Sequence, residues 1–406
     1  MRSRSFVCII VIFLFGVSAV LTNADDYDWP RWRGPNGNGS IVDDSWNIEA
    51  LSGEAQILWK VGVGQGYSSV VLKDGYVYTM GSWRGEDTIY CLDAETGEEV
   101  WTFTYDEATG IPNSTPTIDG KYLYTLSREG LVLCLNIKKG KEKWRRDIPK
   151  ELKDMIPGYG YAGSPLIEED LVILNARSTG IALHKKTGKV VWVSPIPKPR
   201  YSAGYATPVL VNYDSHKYVA IFNWDGLNFV EFQTGRVLWS YEWPYYTEIV
   251  ADPLIIGDKI FISSGYGVGC ALLKINTDKP EVIWRNKNMS NHVSSCVQID
   301  GYIYGIHGNI GGWLPFRCID VSTGEVMWEQ KMTMASFLVL NEKLIILEED
   351  GTLHIVNPSP SSYQEISICT TTSKPYKYWS PPVLCNGKLF LRDYLVGEVI
   401  CVDVSK

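Results

Sequence analysis

Runs of apolar and β-branched residues, about four to six residues long, recur along the chain and are separated by short polar turns. In the clearest unit these runs are residues 115–118, 122–126 and 131–135, followed by one that ends at Trp144. Asp119-Gly120 and Lys139-Gly140 fall between runs and are typical of hairpin turns. Since we find no helical periodicity of useful length, the pattern predicts an all-β chain built from units of four antiparallel strands.

A glycine followed four residues later by a tryptophan marks the end of most units. The pairs are Gly97/Trp101, Gly140/Trp144, Gly188/Trp192, Gly235/Trp239 and Gly324/Trp328. Trp59 and Trp284 close similar runs without the glycine, and the seven tryptophans recur at intervals of 42 to 48 residues. Repeats of this length are typical of β-propeller blades.

A second marker, a small or turn-forming residue often beside proline, leads into the first apolar run of each unit. These markers are Ser69, Thr115-Pro116, Ser164-Pro165, Thr207-Pro208, Asp252-Pro253, Ser295, Ser336 and Pro381-Pro382. Eight markers predict eight units. Trp59 ends a fourth strand that lacks the first three, and the C-terminus has three strands without a fourth. We therefore expect an eight-bladed β-propeller of four-stranded antiparallel blades, closed by pairing residues 57–61 with 399–404.

Three segments make up the predicted domain organisation. Residues 1–24 are expected to be a signal peptide, because Arg2 and Arg4 precede an uncharged, mostly apolar run of 16 residues at 6–21. A membrane anchor is the alternative, but such a run is short of the roughly 20 residues that span a bilayer. Residues 25–55 form a strap rich in Trp, Gly and Pro, expected to pack on the side or base of the propeller or else to be a ligand-binding loop. Residues 56–406 form the propeller.

Charge and cysteine content narrow the function classes. A net charge of −8 disfavours nucleic acid as the principal partner. Four of the nine cysteines share one repeat position, which indicates buried packing: Cys91, Cys134, Cys318 and Cys401. We expect no metal or redox role for cysteine. A disulfide stays open among four others: Cys270, Cys296, Cys369 and Cys385.

The segments 93–101 (D-A-E-T-G-E-E-V-W) and 320–328 (D-V-S-T-G-E-V-M-W) resemble the tryptophan-docking repeat of pyrroloquinoline-quinone (PQQ) propellers. The resemblance extends over residues 56–406. It implies a propeller in which the tryptophan of one blade packs near the turn of the next. This PQQ-like family contains quinone-dependent alcohol and sugar dehydrogenases, which hold PQQ and Ca²⁺ in the central funnel, and non-catalytic BamB-like propellers.

The chain lacks the vicinal cysteine pair, the C-x-x-C-H haem site and the long insertions of those dehydrogenases. We therefore expect a BamB-like binding or scaffold protein of the cell envelope, periplasmic or secreted, with no cofactor and no transmembrane segment after signal cleavage. The alternative is a PQQ- and calcium-dependent alcohol or sugar dehydrogenase. The partner would be an envelope protein or a small anionic or sugar ligand in the funnel.

Loops on one face of the ring supply the candidate ligand-binding residues of the funnel. They are Arg84, Arg128, Arg177, Trp224, Asp225, Tyr266, His307, Trp379 and Arg392. The arginines are either paired with nearby acids (Asp87, Glu129, Asp393) or arranged to bind an anion or a sugar. If they converge on the axis, we expect a bound anion or a ring of pairs with Asp225, Glu349, Asp350 and Asp393. We predict no catalytic residue, since the five histidines are scattered and neither G-x-S-x-G nor H-E-x-x-H occurs.

Overall fold

The computed structural model describes residues 28–106, 110–177, 179–195, 204–244, 248–311, 314–371 and 377–405. The predicted signal peptide therefore lies outside the described residues. The chain forms an all-β propeller of four-stranded antiparallel blades. Before the first blade come β1 (Ser40–Ile41), a 3₁₀ helix (Ile48–Leu51), β2 (Gly53–Glu54) and β3 (Ile57–Gly62).

Six blades follow in chain order, each with its strands paired in sequence. The first two are β4 (Val71–Lys73), β5 (Tyr76–Trp83), β6 (Glu86–Asp93) and β7 (Glu99–Asp106), then β8 (Thr117–Asp119), β9 (Tyr122–Leu126), β10 (Leu131–Asn136) and β11 (Glu142–Asp147). Helix α1 (Ile148–Leu152) leads to β12 (Leu166–Glu168), β13 (Leu171–Leu174), β14 (Ile181–His184) and β15 (Val190–Val193). The fourth blade contains β16 (Val209–Tyr213), β17 (His216–Asn223), β18 (Gly226–Glu231) and β19 (Val237–Tyr241). The fifth contains β20 (Leu254–Ile256), β21 (Lys259–Ser264), β22 (Gly269–Lys274) and β23 (Glu281–Asn286). The sixth contains β24 (Val297–Ile299), β25 (Tyr302–Ile306), β26 (Leu314–Asp320) and β27 (Val326–Met332).

Two sheets complete the described ring, and they use strands from both ends of the chain. One contains β28 (Ala335–Leu340), β29 (Lys343–Glu348), β30 (Thr352–Asn357) and β31 (Gln364–Thr370). The other contains β32 (Val383–Cys385), β33 (Lys388–Arg392) and β34 (Glu398–Asp403), with β3 as its fourth strand. Antiparallel pairing of β3 with β34 places Trp59 opposite Cys401, so the predicted closure is confirmed.

The predicted number of four-stranded blades is wrong. Among the described residues, seven sheets, not eight, have four strands, and the remaining sheet has six. Its extra strands come from the strap: β1 pairs in parallel with β28, and β2 pairs in parallel with β31. Repeat counting missed these additions because two-residue strands leave no periodic signal.

The Gly–Trp repeat joins neighbouring blades. The indole Nε1 of Trp101 donates to the carbonyl of Ile137 in the next blade at 2.8 Å, and Trp144 does the same to Lys185 at 3.0 Å. Gly140 lies under the ring of Trp101, where an added Cβ would be 2.5 Å from the indole. The docking that the family resemblance implied is therefore present, and the glycine is needed because the ring leaves no room for a side chain.

The second markers form hydrogen bonds between successive blades. The bonds are Ser69 N–H to Thr115 Oγ1 (3.0 Å), Thr115 N–H to Ser164 Oγ (3.0 Å), Ser164 N–H to Thr207 Oγ1 (3.1 Å), Thr207 N–H to Asp252 Oδ1 (2.7 Å) and Asp252 N–H to Ser295 Oγ (2.9 Å). Each side chain satisfies a backbone N–H that precedes a first strand, where burial would otherwise leave that donor unpaired. This role explains why Ser, Thr and Asp recur at these positions.

The strap crosses one end of the ring. Trp29 pairs with Leu72 of β4, and the carbonyl of Pro30 accepts from Ile118 of β8 at 2.7 Å. From the opposite side of the ring, Asp252 accepts from the Trp32 indole at 2.7 Å. Asp43 then binds Asn341 and Asn386 in the turns between first and second strands. Of the two interpretations of the strap, the structure supports packing at the base.

The described cysteines are all free and buried. The disulfide left open among Cys270, Cys296, Cys369 and Cys385 is therefore not formed. Burial raises the pKa of the Cys91 thiol to about 12, so this group is a protonated packing residue at neutral pH. Within the described ranges, no helix has the length and apolar character needed to cross a membrane.

Candidate functional site

We call the end of the ring opposite the strap the funnel face. It is built from the loops between second and third strands and from those between successive blades. All nine candidate residues lie in or beside these loops. The structure does not gather the four candidate arginines into one anion site, because each has its own environment.

Arg392 is a buried structural residue, with 1% of its surface exposed. Its guanidinium donates to the carbonyl of Gly64 at 2.6 Å and also to the carbonyl of Asp393. Burial lowers the pKa of Arg392 to about 10, while the charge of Asp393 opposes that shift. Since Gly64 precedes the first blade and Arg392 ends β33, this side chain ties the two ends of the ring together.

Arg177 and Arg84 are also placed away from a shared centre. Nη1 of Arg177 donates to the carbonyl of Leu152 at 2.6 Å, at the C-terminal end of α1, where backbone carbonyls favour a cation. The Arg177 backbone N–H donates to Asp154 at 2.9 Å. Arg84 is exposed at the tip of the β5–β6 hairpin, with its guanidinium 6.0 Å from the ring centre of Trp83.

Arg128 lies beside acids, with Nη1 4.0 Å from Glu129 Oε1. Asp87 is buried in the same region and accepts from the Tyr105 hydroxyl at 3.3 Å. Burial raises the pKa of Asp87 to about 6; the charge of Glu129 adds to the rise and that of Arg128 opposes it. This cluster matches the interpretation in which a loop arginine neutralises nearby acids.

The acids expected to pair with the arginines bind other groups. Glu349 forms an ion pair with Lys377 at 2.9 Å. Asp350 accepts from the Thr352 N–H at 2.9 Å, and Asp393 accepts from the backbone N–H groups of Lys377, Val396 and Gly397. The expected ring of Arg–carboxylate pairs is therefore wrong for these acids, because their carboxylates bind a lysine or loop backbone instead.

Several funnel side chains carry buried polar atoms with no partner among the described residues. These atoms are Nε1 of Trp224, Nε1 of Trp379 and Nδ1 of His307. Burial, together with the nearby charge of Arg317, lowers the pKa of His307 to about 4, so its ring is neutral at pH 7. The backbone N–H of Asp225, the remaining candidate in this group, donates to Asn223 Oδ1 at 3.0 Å.

Two aromatic groups stand on the funnel face. In the first, Tyr67 stacks on Trp379 and Tyr394 with ring centres 5.2 and 4.7 Å apart. In the second, Tyr159 meets Tyr205 edge-on at 6.1 Å, and Tyr266 meets His292 edge-on at 4.9 Å.

Glu248 belongs to the second group, because the N–H of Tyr205 donates to the carbonyl of the adjacent Ile249 at 2.9 Å. Burial and then the nearby carboxylate of Glu248 raise the pKa of Tyr266. Sequence reasoning missed Tyr159 and Glu248. The Tyr-Gly-Tyr segment at 159–161 was a usable signal for the first of them. Only the structure shows that Tyr159 is exposed while Tyr161 is buried.

A cavity of about 690 Å³ opens on the same face. Its lining combines apolar side chains with charged or polar ones: Ile310, Leu314, Met332 and Met334 with Lys331, Thr333 and Glu349. In the described part of the chain, no three His, Cys, Asp or Glu side chains are grouped closely enough to hold a metal ion.

Comparison with known proteins identifies relatives of this propeller. A family model described as "Outer membrane protein assembly factor BamB" matches residues 47–121 and 85–330. The outer membrane protein assembly factor BamB of Yersinia pestis is 20% identical over 366 residues, covering 82% of this chain and 86% of that protein.

Enzymes also share the repeat. The quinoprotein ethanol dehydrogenase of Pseudomonas putida is 27% identical over 147 residues, which are 32% of this chain and 22% of the dehydrogenase. The crystal structure of quinohemoprotein alcohol dehydrogenase from Comamonas testosteroni aligns with a TM-score of 0.70 at 12% identity, covering 94% of this chain and 81% of that one. This structural likeness shows a common fold, and a common fold does not carry a common activity. Because the family model spans most of the chain, this protein belongs to the PQQ-like β-propeller family that the model describes.

Proposed function

We propose that the protein is an exported, non-catalytic scaffold of the cell envelope that binds a partner protein on its funnel face. The observation that carries the proposal is the match to an outer membrane protein assembly factor along 82% of this chain. The partial match to a dehydrogenase covers 32% of the chain and supports the alternative less. The predicted signal peptide at residues 1–24 is consistent with export.

Exposed apolar side chains around the funnel face support protein binding there. Trp83 is 61% exposed, Met155 57% and Ile156 48%, and Leu395 and Val396 are each 46% exposed. These residues lie in loops or at a strand end of neighbouring blades, so together they line one side of the mouth of the funnel. Exposed apolar groups with polar surroundings are a common feature of protein interaction sites. The strap occupies the base, which leaves the funnel face as the open end.

The side chains of the funnel are a poor fit for PQQ and Ca²⁺. A quinone carboxylate needs available cationic donors, but Arg177 and Arg392 donate to carbonyls of their own chain. Calcium needs six to eight oxygen ligands, whereas the carboxylates of Asp350 and Asp393 bind backbone N–H groups. The dehydrogenase alternative is therefore less well supported, and the dye-reduction assay described below would detect it.

The test compares wild type with two surface variants by the proteins that each one captures when it is cross-linked in the envelope fraction of the host. Met155→Asp with Ile156→Asp places charge at the funnel mouth, and Val42→Asp is the matched control because Val42 is 73% exposed on the strap at the base. We expect wild type and Val42→Asp to capture an outer membrane protein or assembly factor, and the double variant to lose it.

A second arm measures dye reduction with alcohols and aldoses after incubation with PQQ and Ca²⁺. We expect no turnover. Robust turnover, or equal capture by all three proteins, would contradict the proposal.

A further inference from the structure

One sector of the funnel face combines exposed aromatic rings with a carboxylate and a neutral histidine. We infer that Tyr159, Tyr266, Glu248 and His292 form a binding site for a neutral saccharide. The inference goes beyond the partner protein proposed above and does not depend on it, since the site is complete within this chain.

The two tyrosines offer ring faces that the protein holds in position. Tyr159 is 63% exposed and Tyr266 is 50% exposed. The N–H of Tyr159 donates to the Tyr205 hydroxyl at 3.2 Å, and its carbonyl accepts from Asn113 Nδ2 at 2.7 Å.

The N–H of Tyr266 donates to Asn309 Oδ1 at 2.6 Å, and the edge-on contact with His292 supports its ring. An exposed aromatic face held in this way suits the C–H face of a sugar ring, since the face of the π-system is negative.

Glu248 and His292 supply the polar contacts that a hydroxyl group needs. Burial and then the nearby carboxylate of Glu248 raise the pKa of Tyr266, so the phenol stays protonated beside that carboxylate. The carboxylate oxygens of Glu248 are acceptor positions.

His292 has a defined tautomer. Its Nδ1 accepts from the N–H of Ile310 at 3.3 Å, and burial lowers the pKa of the ring. A neutral imidazole whose Nδ1 accepts carries its proton on Nε2, and so that nitrogen is a donor.

This donor–acceptor set selects among ligand classes. The carboxylate of Glu248 repels an anion. A cation would suit that carboxylate but would leave the Nε2–H of His292 without an acceptor. A hydroxyl group both donates and accepts, so it can satisfy both side chains at once. Stacking rings with a few placed polar groups are typical of small-ligand sites. A neutral polyhydroxylated ring is therefore the class that matches all four side chains.

Isothermal titration calorimetry with maltotriose and chitotriose tests the inference on the purified chain. We expect saturable binding to at least one of them, weakened about threefold to tenfold by Tyr159→Ala or Tyr266→Ala, since one aromatic contact is lost. Tyr159→Phe keeps the ring and should bind like wild type. Glu248→Gln should weaken binding because it loses a charged acceptor.

Trp83→Ala is the matched control, since Trp83 is also an exposed aromatic on this face, and it should leave saccharide binding unchanged. Co-sedimentation with purified peptidoglycan tests whether the site binds a polymeric glycan, whereas calorimetry tests binding of a free oligosaccharide. Saturation by either source, lost in Tyr159→Ala, supports the site.

No saturable binding to any probe, or equal affinity in Tyr159→Ala, Glu248→Gln and wild type, would overturn the inference. So would loss of a captured protein in Tyr159→Ala without any saccharide binding, which would assign these rings to the partner surface. Thermal unfolding of each variant verifies that it is folded. The scaffold proposal is decided by its own cross-linking test and is independent of these results.

Discussion

Two separate constraints, its backbone conformation and the packing of Trp101 against it, both require glycine at position 140. Its φ is +62°, in the left-handed region, and an added Cβ would lie 2.5 Å from the indole of Trp101. Gly120 has a similar φ of +57°, but nothing lies within 4 Å of its added Cβ. Substitutions at the two positions can therefore distinguish the free-energy cost of backbone strain alone from the added cost of displacing a docked tryptophan.

We expect Gly120→Ala to lower the free energy of unfolding by about 1–2 kcal/mol, because alanine is strained at positive φ. Gly140→Ala should lower it by about 2–5 kcal/mol, since overpacking adds about 1–3 kcal/mol. Guanidinium denaturation followed by tryptophan fluorescence measures both. Equal losses in the two variants would show that the close contact with Trp101 has no energetic weight.

The strap is the element that joins opposite sides of the ring. Arg33 is 5% exposed, donates to the carbonyls of Cys296 and Asn38, and has Nη1 3.8 Å from Asp252. Burial lowers the pKa of Arg33 and raises that of Asp252, and each charge partly offsets the shift of the other. Near the start of the described chain, Lys73 and Asp28 form a partly exposed pair at 2.8 Å.

Arg33→Ala should destabilise the protein by about 3–5 kcal/mol, because it leaves the buried carboxylate of Asp252 without its cation. Lys73→Ala is the matched control, and it should cost at most about 1 kcal/mol, as expected for a more exposed pair. Thermal and denaturant unfolding of both variants test this contrast. A loss below about 1 kcal/mol for Arg33→Ala would mean that the strap is not anchored through this pair.

At the scale of the whole molecule, the ring depends on β34. Val399, Ile400, Cys401 and Val402 are fully buried, and β34 lies between β33 and β3. Burying an apolar side chain contributes about 1.5–3 kcal/mol, so the strand accounts for a large part of a typical stability of about 5–15 kcal/mol. The same seam carries Arg392, which donates across it to Gly64.

Deletion of residues 398–406 should therefore prevent formation of the native ring. Near-UV circular dichroism and size-exclusion chromatography would detect lost tertiary packing and an expanded or aggregated chain. Deletion of residues 405–406 leaves β34 intact and should preserve the native signal. A truncated protein with an unchanged unfolding transition would contradict the role of this closure.

Sequence periodicity determined the strands, the blade unit and the closing pair, because strand alternation, turn residues and docked tryptophans act over short distances that recur along the chain. It also located the loops of the funnel face. It did not determine the six-stranded sheet, since β1 and β2 acquire strand structure only by pairing with β28 and β31.

Only the tertiary structure decided which loop side chains face an open site. Arg392, Arg177 and exposed Arg84 all lie at or near loops between second and third strands, yet Arg392 is buried at the seam and Arg177 binds the end of α1. Tyr159 and Glu248 come from loops about 90 residues apart in the chain, and each meets the group of Tyr266 and His292 only because the ring brings those loops together. In these irregular loops, unlike in the strands, residue type and spacing do not determine the direction of a side chain, which is set by contacts between blades.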